Sequence, residues 1–196
     1  MHFDSGLVAP TIIQSLRYFF SENKGTGIYW DEDEKTRTLD IGESYDFNKI
    51  GLQQRPRIVV TRGGYSIGKV GVTDNLAQGK SIEETAGLKD YINMVLYQGT
   101  VTIMIETRNK GTCELLTDMT SHFIIWSRPV ICDVQGWKEF GMPMAVSDIS
   151  VVSDESPGDS KFQSVISVPW MKEEHWRFKT DGFILKSILT DIRATA

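Results

Sequence analysis

Residues 98–134 read QGTVTIMIETRNKGTCELLTDMTSHFIIWSRPVICDV, and the predicted fold is organised around this stretch. Its first part alternates strictly, with Val101, Ile103 and Ile105 on one face and Thr102, Met104 and Glu106 on the other. A period of two residues is typical of a strand that buries one face. The stretch is therefore predicted to begin with a strand that lies on the core.

A helix is predicted after this strand. The tripeptide 109–111, Asn-Lys-Gly, ends the alternation, and from Thr112 apolar residues recur at helical spacing: Leu115, Leu116, Met119, Phe123 and Trp126. Pro129 is expected to stop this helix, because the residue before a proline is pushed out of the α region. Residues 130–134, VICDV, then predict another strand. The central unit is expected to be strand, helix, strand.

The rest of the chain adds one helix and further strands. Residues 9–21 place apolar side chains at helical spacing behind Pro10, a favourable residue in a first helical turn. Residues 58–61, 145–153 and 162–171 predict strands, 63–79 a glycine-rich turn region, and 81–95 a short helix or an ordered loop. The predicted class is α+β, a mixed or antiparallel sheet flanked by an N-terminal helix and a central helix, in a single domain over 1–196.

Composition limits the classes of function. The chain has 196 residues, 40% of them hydrophobic, and a net charge of −5. A protein that holds nucleic acid through its phosphates needs a basic face, which this balance does not favour. No apolar run approaches a membrane span, and the first ten residues do not have the pattern of a signal peptide. Cys113 and Cys132 lie in apolar patterns, so we expect buried free thiols in a reducing cytoplasm.

Residues 31–46 form an acidic segment. Seven of these sixteen residues are Asp or Glu, beginning with Asp31, Glu32, Asp33 and Glu34. Such a run predicts an exposed, solvated loop, and the functional alternative is an acidic surface that faces a partner or a lumen.

One motif suggests nucleotide binding. Residues 63–70, GGYSIGKV, fit the pattern GxxxxGK and follow a predicted strand, as a phosphate-binding loop would. However, Val70 stands where such a loop needs a Ser or Thr for Mg²⁺. The residues after Lys69 are glycine-rich and polar, and they do not begin a helix that would hold phosphates. A glycine-rich hairpin or loop is the preferred interpretation, and a P-loop-like nucleotide-binding protein remains the alternative from a different class.

No catalytic, cofactor or metal site is predicted. The three histidines, His2, His122 and His175, lack the spacing of zinc ligands, and no serine lies in a GxSxG context. The five tryptophans are better explained by packing and subunit contacts than by stacking on a ligand. A ligand-binding module that uses this tryptophan-rich surface is a further alternative.

The order of elements resembles that of a known family. The strand RPRIVV at 55–60, the run GTVTIMIET at 99–107 that leads into a helix, and the late segment HWRFKTDGFILKSILTDI at 175–192 are similar to the small joining proteins of tailed-bacteriophage virions. These are the tail terminator and neck proteins, which close the tail tube and connect it to the head.

The resemblance implies a non-enzymatic virion protein at the head–tail junction, assembled in the host cytoplasm as a homo-oligomeric ring, most often a hexamer. It implies contacts with the tail tube protein and with neck or connector proteins, and DNA that passes through the lumen without specific binding. Tail terminator is the preferred role, and other neck, connector or head-completion roles stay open. The loops expected to contact partners contain Asp31, Glu32, Asp33, Glu34, Gly63, Gly64, Tyr65 and Lys69.

Overall fold

The structure is a computed structural model that describes residues 8–43, 56–69, 84–85, 88–153 and 160–180. Within these residues two α-helices accompany a mixed sheet, so the predicted α+β class is confirmed. The helices are α1 (Val8–Glu22) and α2 (Lys110–Gln135). The strands are β1 (Asp40–Glu43), β2 (Arg57–Lys69), β3 (Glu84–Thr85), β4 (Leu88–Thr107), β5 (Trp137–Phe140), β6 (Ala145–Val146), β7 (Ser150–Ser153) and β8 (Ser160–Thr180).

The chain divides into two compact units. The first comprises residues 1–65 and 99–171, and the second comprises 66–98 and 172–196. Both helices and the buried core described here belong to the first unit. In the second unit, β3 pairs antiparallel with β4. The single domain predicted from the sequence stays a prediction.

The sheet has the strand order β1-β2-β4-β8-β5, and β6 and β7 also pair with β8. Strand β1 runs parallel to β2, whereas β6 and β7 run antiparallel to β8. The contacts between β2 and β4 run in opposite directions along the two strands, because Arg57 reaches Glu106 while Gly63 lies against Thr100. This pair is therefore antiparallel, and β1 supplies the parallel pairing that makes the sheet mixed.

Alternation along the central strands builds the core, as the sequence predicts. Val101, Ile103 and Ile105 of β4 are fully buried, and the residues between them are half-buried. Strand β8 repeats the pattern with Ile166, Val168 and Trp170. On the other face of β4, Glu106 pairs with Arg57, and the Met104 sulfur accepts a hydrogen bond from the Gln163 side chain. One face of the sheet is thus apolar and buried, and the other is half-exposed and more polar.

Helix α1 covers part of the core, and the prediction of a helix over 9–21 is confirmed. Its buried face holds Val8, Ala9, Ile12, Ile13, Leu16 and Phe20 at helical spacing. The helix packs against β1, and Phe19 stacks on Phe123 of α2 with 4.7 Å between ring centroids.

Helix α2 is longer than predicted. Asn109 caps its N-terminus by accepting a hydrogen bond from the Thr112 amide, and Gly136 ends it with a φ of 65°. The strand predicted over 130–134 is wrong, because α2 continues through Pro129 to Gln135. The continuation has a packing reason: Ile131 is buried in register with Ile124, and this end of the helix packs against β5. Tertiary contacts outweigh the local preference of proline here.

Three further predictions need correction. Residues 63–69 form the end of β2 and not a turn, while the remainder of the predicted turn region, 70–79, lies outside the described residues. The described part of 81–95 forms β3 and the start of β4, so neither a helix nor a loop occupies it. The predicted strand over 145–153 is interrupted between β6 and β7.

Candidate interaction surfaces

The glycine motif at 63–69 does not form a phosphate-binding loop. Its residues belong to β2, where successive amide groups point to opposite sides of the strand and do not converge on one anion. A Cβ atom at Gly63 would lie 2.7 Å from the Thr100 hydroxyl oxygen and 2.8 Å from the Thr100 carbonyl oxygen. Gly63 is therefore needed for the close approach of β4. Lys69 is the last residue of β2.

The central glycine of β4 has a similar role. A Cβ atom at Gly99 would lie 2.9 Å from the Trp170 ring and 3.0 Å from the Gly64 carbonyl oxygen. The nearby ring of Tyr65 is 41% exposed. It makes a cation–π contact with Arg62, whose guanidinium carbon lies 5.6 Å from the ring centroid. The predicted contact residues Gly63, Gly64 and Tyr65 thus lie in a strand and not in a loop, although Gly64 and Tyr65 are exposed.

The acidic segment is an ordered loop for most of its length. Asp31 accepts a hydrogen bond from the Asp33 amide at 3.1 Å and lies 3.5 Å from the Lys24 ammonium. The amide bond and the neighbouring cation lower the pKa of the Asp31 carboxyl. Asp33 in turn accepts from the Lys35 amide at 2.9 Å. These local turns leave the side chains of 32–34 exposed, as predicted.

The C-terminal part of that segment departs from the prediction of a loop over 31–46. Residues 40–43 form β1, and Asp40 is buried with its carboxylate 2.7 Å from the Arg37 guanidinium. Residues 44–46 lie outside the described part of the chain. The acidic loop therefore ends at Asp40, whose carboxylate pairs with Arg37 and whose backbone begins β1. The charge content of the sequence alone does not reveal this end.

The structure reveals an apolar surface on α2. We define the outer stripe as Leu115, Met119, Trp126, Val130 and Val134, which recur at four- and seven-residue intervals along α2. All of them are exposed except Met119, which is half-buried. Trp126 is 72% exposed, Val130 62% and Val134 73%. His122 lies within the stripe and stacks on Trp126, with 6.0 Å between ring centroids. The apolar periodicity predicted from the sequence is thus present, but it is divided between two sides of the helix: Leu115 and Trp126 are exposed, Met119 and Phe123 are half-buried, and Leu116 is buried.

The buried face of α2 is a different set of residues. It contains Cys113, Leu116, Thr117, Thr120, Ile124 and Ile131. The sequence did carry a signal for this arrangement, since apolar residues occupy two sides of the helix and a helix has only one side on the sheet.

A second exposed apolar surface lies at the edge of the sheet. We define the edge surface as Val146 of β6 with Val151 and Val152 of β7, all three exposed. Adjacent residues of a strand point to opposite faces, so Val151 and Val152 expose apolar area on both sides of β7. Sequence reasoning missed this surface, although two neighbouring valines in an edge strand cannot both face a single buried layer.

A groove of about 520 Å³ separates α2 from the edge surface. Glu114, Thr117 and Asp118 of α2 line one side, and residues 146–149 line the other. The Thr117 hydroxyl donates to the Cys113 carbonyl at 2.7 Å, and the Ser147 hydroxyl accepts from the Val165 amide at 2.9 Å. These hydroxyls are engaged by the backbone, so the groove presents carboxylates and apolar side chains and not an activated nucleophile.

The two cysteines are free. Cys113 is buried, as predicted, whereas Cys132 is half-buried. Burial is the main cause that raises the pKa of both thiols. Neither thiol therefore has the lowered pKa of a reactive cysteine.

The described residues contain no group of three or more His, Cys, Asp or Glu side chains placed to hold a metal ion. His2 lies outside the described residues, His122 is exposed on α2, and His175 lies in β8. Within the same residues, neither helix combines the length and the apolar content that crossing a bilayer requires.

The chain matches no protein-family profile and no curated protein. The described residues instead offer two exposed apolar surfaces and a groove beside α2 that is lined in part by Val146.

Proposed function

We propose that this chain is a structural protein of a tailed-bacteriophage virion that forms a ring at the head–tail junction. The preferred role is that of the tail terminator, which caps the tail tube and joins it to the neck. The sequence resemblance supports the family, and the α+β fold with its N-terminal and central helices is compatible with it. The proposal is of a non-enzymatic protein whose partners are copies of itself, the tail tube protein and neck or connector proteins.

The observation that carries the proposal is the presence of two apolar surfaces that share no residue. A cyclic ring is built from heterologous contacts, in which one surface of a subunit meets a different surface of the next. The outer stripe and the edge surface both belong to the first unit and are formed by different elements. Both surfaces are candidates for association, because exposed apolar patches on a folded chain are often functional.

The charge of the chain is compatible with a ring that DNA passes through. The net charge is −5, and the side chains of Glu32, Asp33 and Glu34 are exposed. A lumen lined by carboxylates would not retain DNA, because like charge offers no contacts to phosphate.

The test measures assembly of the purified chain. We expect light scattering coupled to size-exclusion chromatography to give a mass several times that of the monomer, and negative-stain images to show rings. In the same preparation the rings should cap isolated tail tubes at one end. A chain that stays monomeric at high concentration and also fails to bind tail tubes would contradict the proposal. Rings that bind isolated connectors but not tubes would support another neck role.

A further inference from the structure

The two apolar surfaces differ in shape and chemistry in a way that suits them to each other. The outer stripe lies on a convex helix, whereas Val146 of the edge surface lines the groove beside α2. This inference rests on the proposed function, because it names the surfaces through which copies of the chain would meet.

The size of the outer stripe indicates a protein partner. An aromatic side chain presents about 150–250 Å², so a largely exposed Trp126 with four neighbouring apolar side chains leaves on the order of 500 Å² uncovered. The largest apolar patch of a typical monomer is about 300–600 Å² and is often functional. A polar rim around such a patch brings it close to the roughly 800 Å² that each partner contributes to a standard interface.

The polar groups of the two surfaces are complementary. Trp126 and the stacked His122 carry ring N–H groups, and the indole N–H is a donor only. The groove carries acceptors: Glu114, Asp118 and Asp148 line it together with one cation, Lys110, whose ammonium lies 3.7 Å from Glu114. The groove therefore has an excess of carboxylate, while Val146 and Ile149 provide apolar wall.

We infer that the outer stripe of one copy docks on the edge surface of the next copy, with Trp126 as the anchor in the groove. Tryptophan is the residue most suited to this position, since its large apolar ring fills a pocket and its N–H bonds to an acceptor. The groove is large enough to receive an indole ring. Because the donor surface and the acceptor surface are distinct, the contact repeats from copy to copy and closes by rotation.

Two single-surface variants test this contact. Trp126→Glu places a charge on the stripe, and Val151→Glu places one on the edge surface. Each variant alone should remain largely monomeric, with the dissociation constant of assembly raised at least tenfold. Mixed in equal amounts, they retain one intact stripe and one intact edge surface between them. The mixture should therefore form a dimer of the two variants and no closed ring.

Tyr18→Glu is the matched control, because Tyr18 is 71% exposed on α1 and belongs to neither surface. It should assemble as the wild-type chain does. Circular dichroism of all variants should match that of the wild type, since the substituted side chains are exposed.

The outcomes separate this inference from the proposed function. If the wild-type chain forms rings and Val151→Glu still assembles normally, the contact is wrong and the ring proposal stands. If Trp126→Glu and Val151→Glu are both monomeric but their mixture gives no dimer, the two surfaces do not meet each other. If the wild-type chain neither assembles nor binds tail tubes, both proposals fail together.

Discussion

The two borders of the sheet in the first unit, β1 on one side and β6 with β7 on the other, differ in how the outer edge is covered. At β1, the guanidinium of Arg17 donates to the Ile41 carbonyl from Nε at 3.0 Å and from Nη2 at 2.7 Å. Along β1, residues whose amide and carbonyl face β2 alternate with residues whose amide and carbonyl face outward. The Asp40 amide donates to the Pro56 carbonyl and so faces the β2 side. Ile41 therefore points its carbonyl away from the sheet, and Arg17 covers it.

The border formed by β6 and β7 has exposed valines instead of an arginine cover. Val146 and Val151 are exposed there, and β7 is four residues long. Natural proteins protect an edge strand with charge, proline or a covering element, or by keeping the strand very short. One border is therefore covered by a charged side chain, whereas the other consists of short strands that expose apolar side chains beside a groove that a partner can fill.

The same contrast separates the two helices. The main apolar face of helix α1 packs on the core, where Leu16 and Phe20 are fully buried. Helix α2 buries one face and exposes a second apolar stripe that contains Trp126. Similar apolar residues thus stabilise the fold in one helix and are available for association in the other.

The largest expected effect on stability is at the buried face of α1. Phe20→Ala should lower the free energy of unfolding by about 3–5 kcal/mol, because it removes a fully buried ring and leaves a cavity. Urea denaturation followed by fluorescence measures the change. Tyr18→Ala is the neighbouring control and should change the same quantity by no more than about 0.5 kcal/mol. Equal losses in the two variants would contradict the assignment of the core face of α1.

A smaller effect is expected at the protected border. Arg17→Met keeps an apolar stem of similar length but removes both donors to the Ile41 carbonyl, so the free energy of unfolding should fall by about 1.5–3 kcal/mol. The uncovered edge should also increase light scattering at high protein concentration. The free energy of unfolding of Arg17→Lys should lie between those of Arg17→Met and the wild type, because lysine keeps a charged donor but lacks the forked pair of donors. An Arg17→Met variant as stable and as soluble as the wild type would show that the border is not protected by this contact.

Much of the fold could be predicted because short-range patterns determine it. The alternation at Val101, Ile103 and Ile105 identified the core strand, and helical spacing identified α1. The end of α2 could not be predicted in the same way. Pro129 and the β-branched Val130 favour a break and a strand locally, and only the burial of Ile131 against the rest of the first unit keeps the segment helical.

The candidate surfaces were predicted less well, for a related reason. Charge and glycine content pointed to Asp31, Gly63 and Lys69, but local turns and strand pairing account for the described contacts of Asp31 and Gly63. Leu115, Met119 and Trp126 of the outer stripe were visible as an apolar pattern, whereas Val130 and Val134 were assigned to a strand. The sequence also does not say which side of the helix meets the sheet. In the structure Cys113 lies on the buried side, with its Sγ 3.9 Å from the Ile105 carbonyl oxygen of β4.

The smallest expected effect on stability is at Trp126. Its size shows whether this ring belongs to a surface available for association or to the core. Trp126→Ala removes a ring whose contact is with the exposed His122, while alanine has the higher helix propensity by up to about 0.7 kcal/mol. The two effects oppose each other, so the free energy of unfolding of the monomer should change by less than about 0.5 kcal/mol. Denaturation at a protein concentration low enough to keep the chain monomeric measures this change. Ile124→Ala, on the buried face of the same helix, should lose about 2–5 kcal/mol under the same conditions. A loss at Trp126 as large as that at Ile124 would place the ring in the core and leave the outer stripe without its anchor.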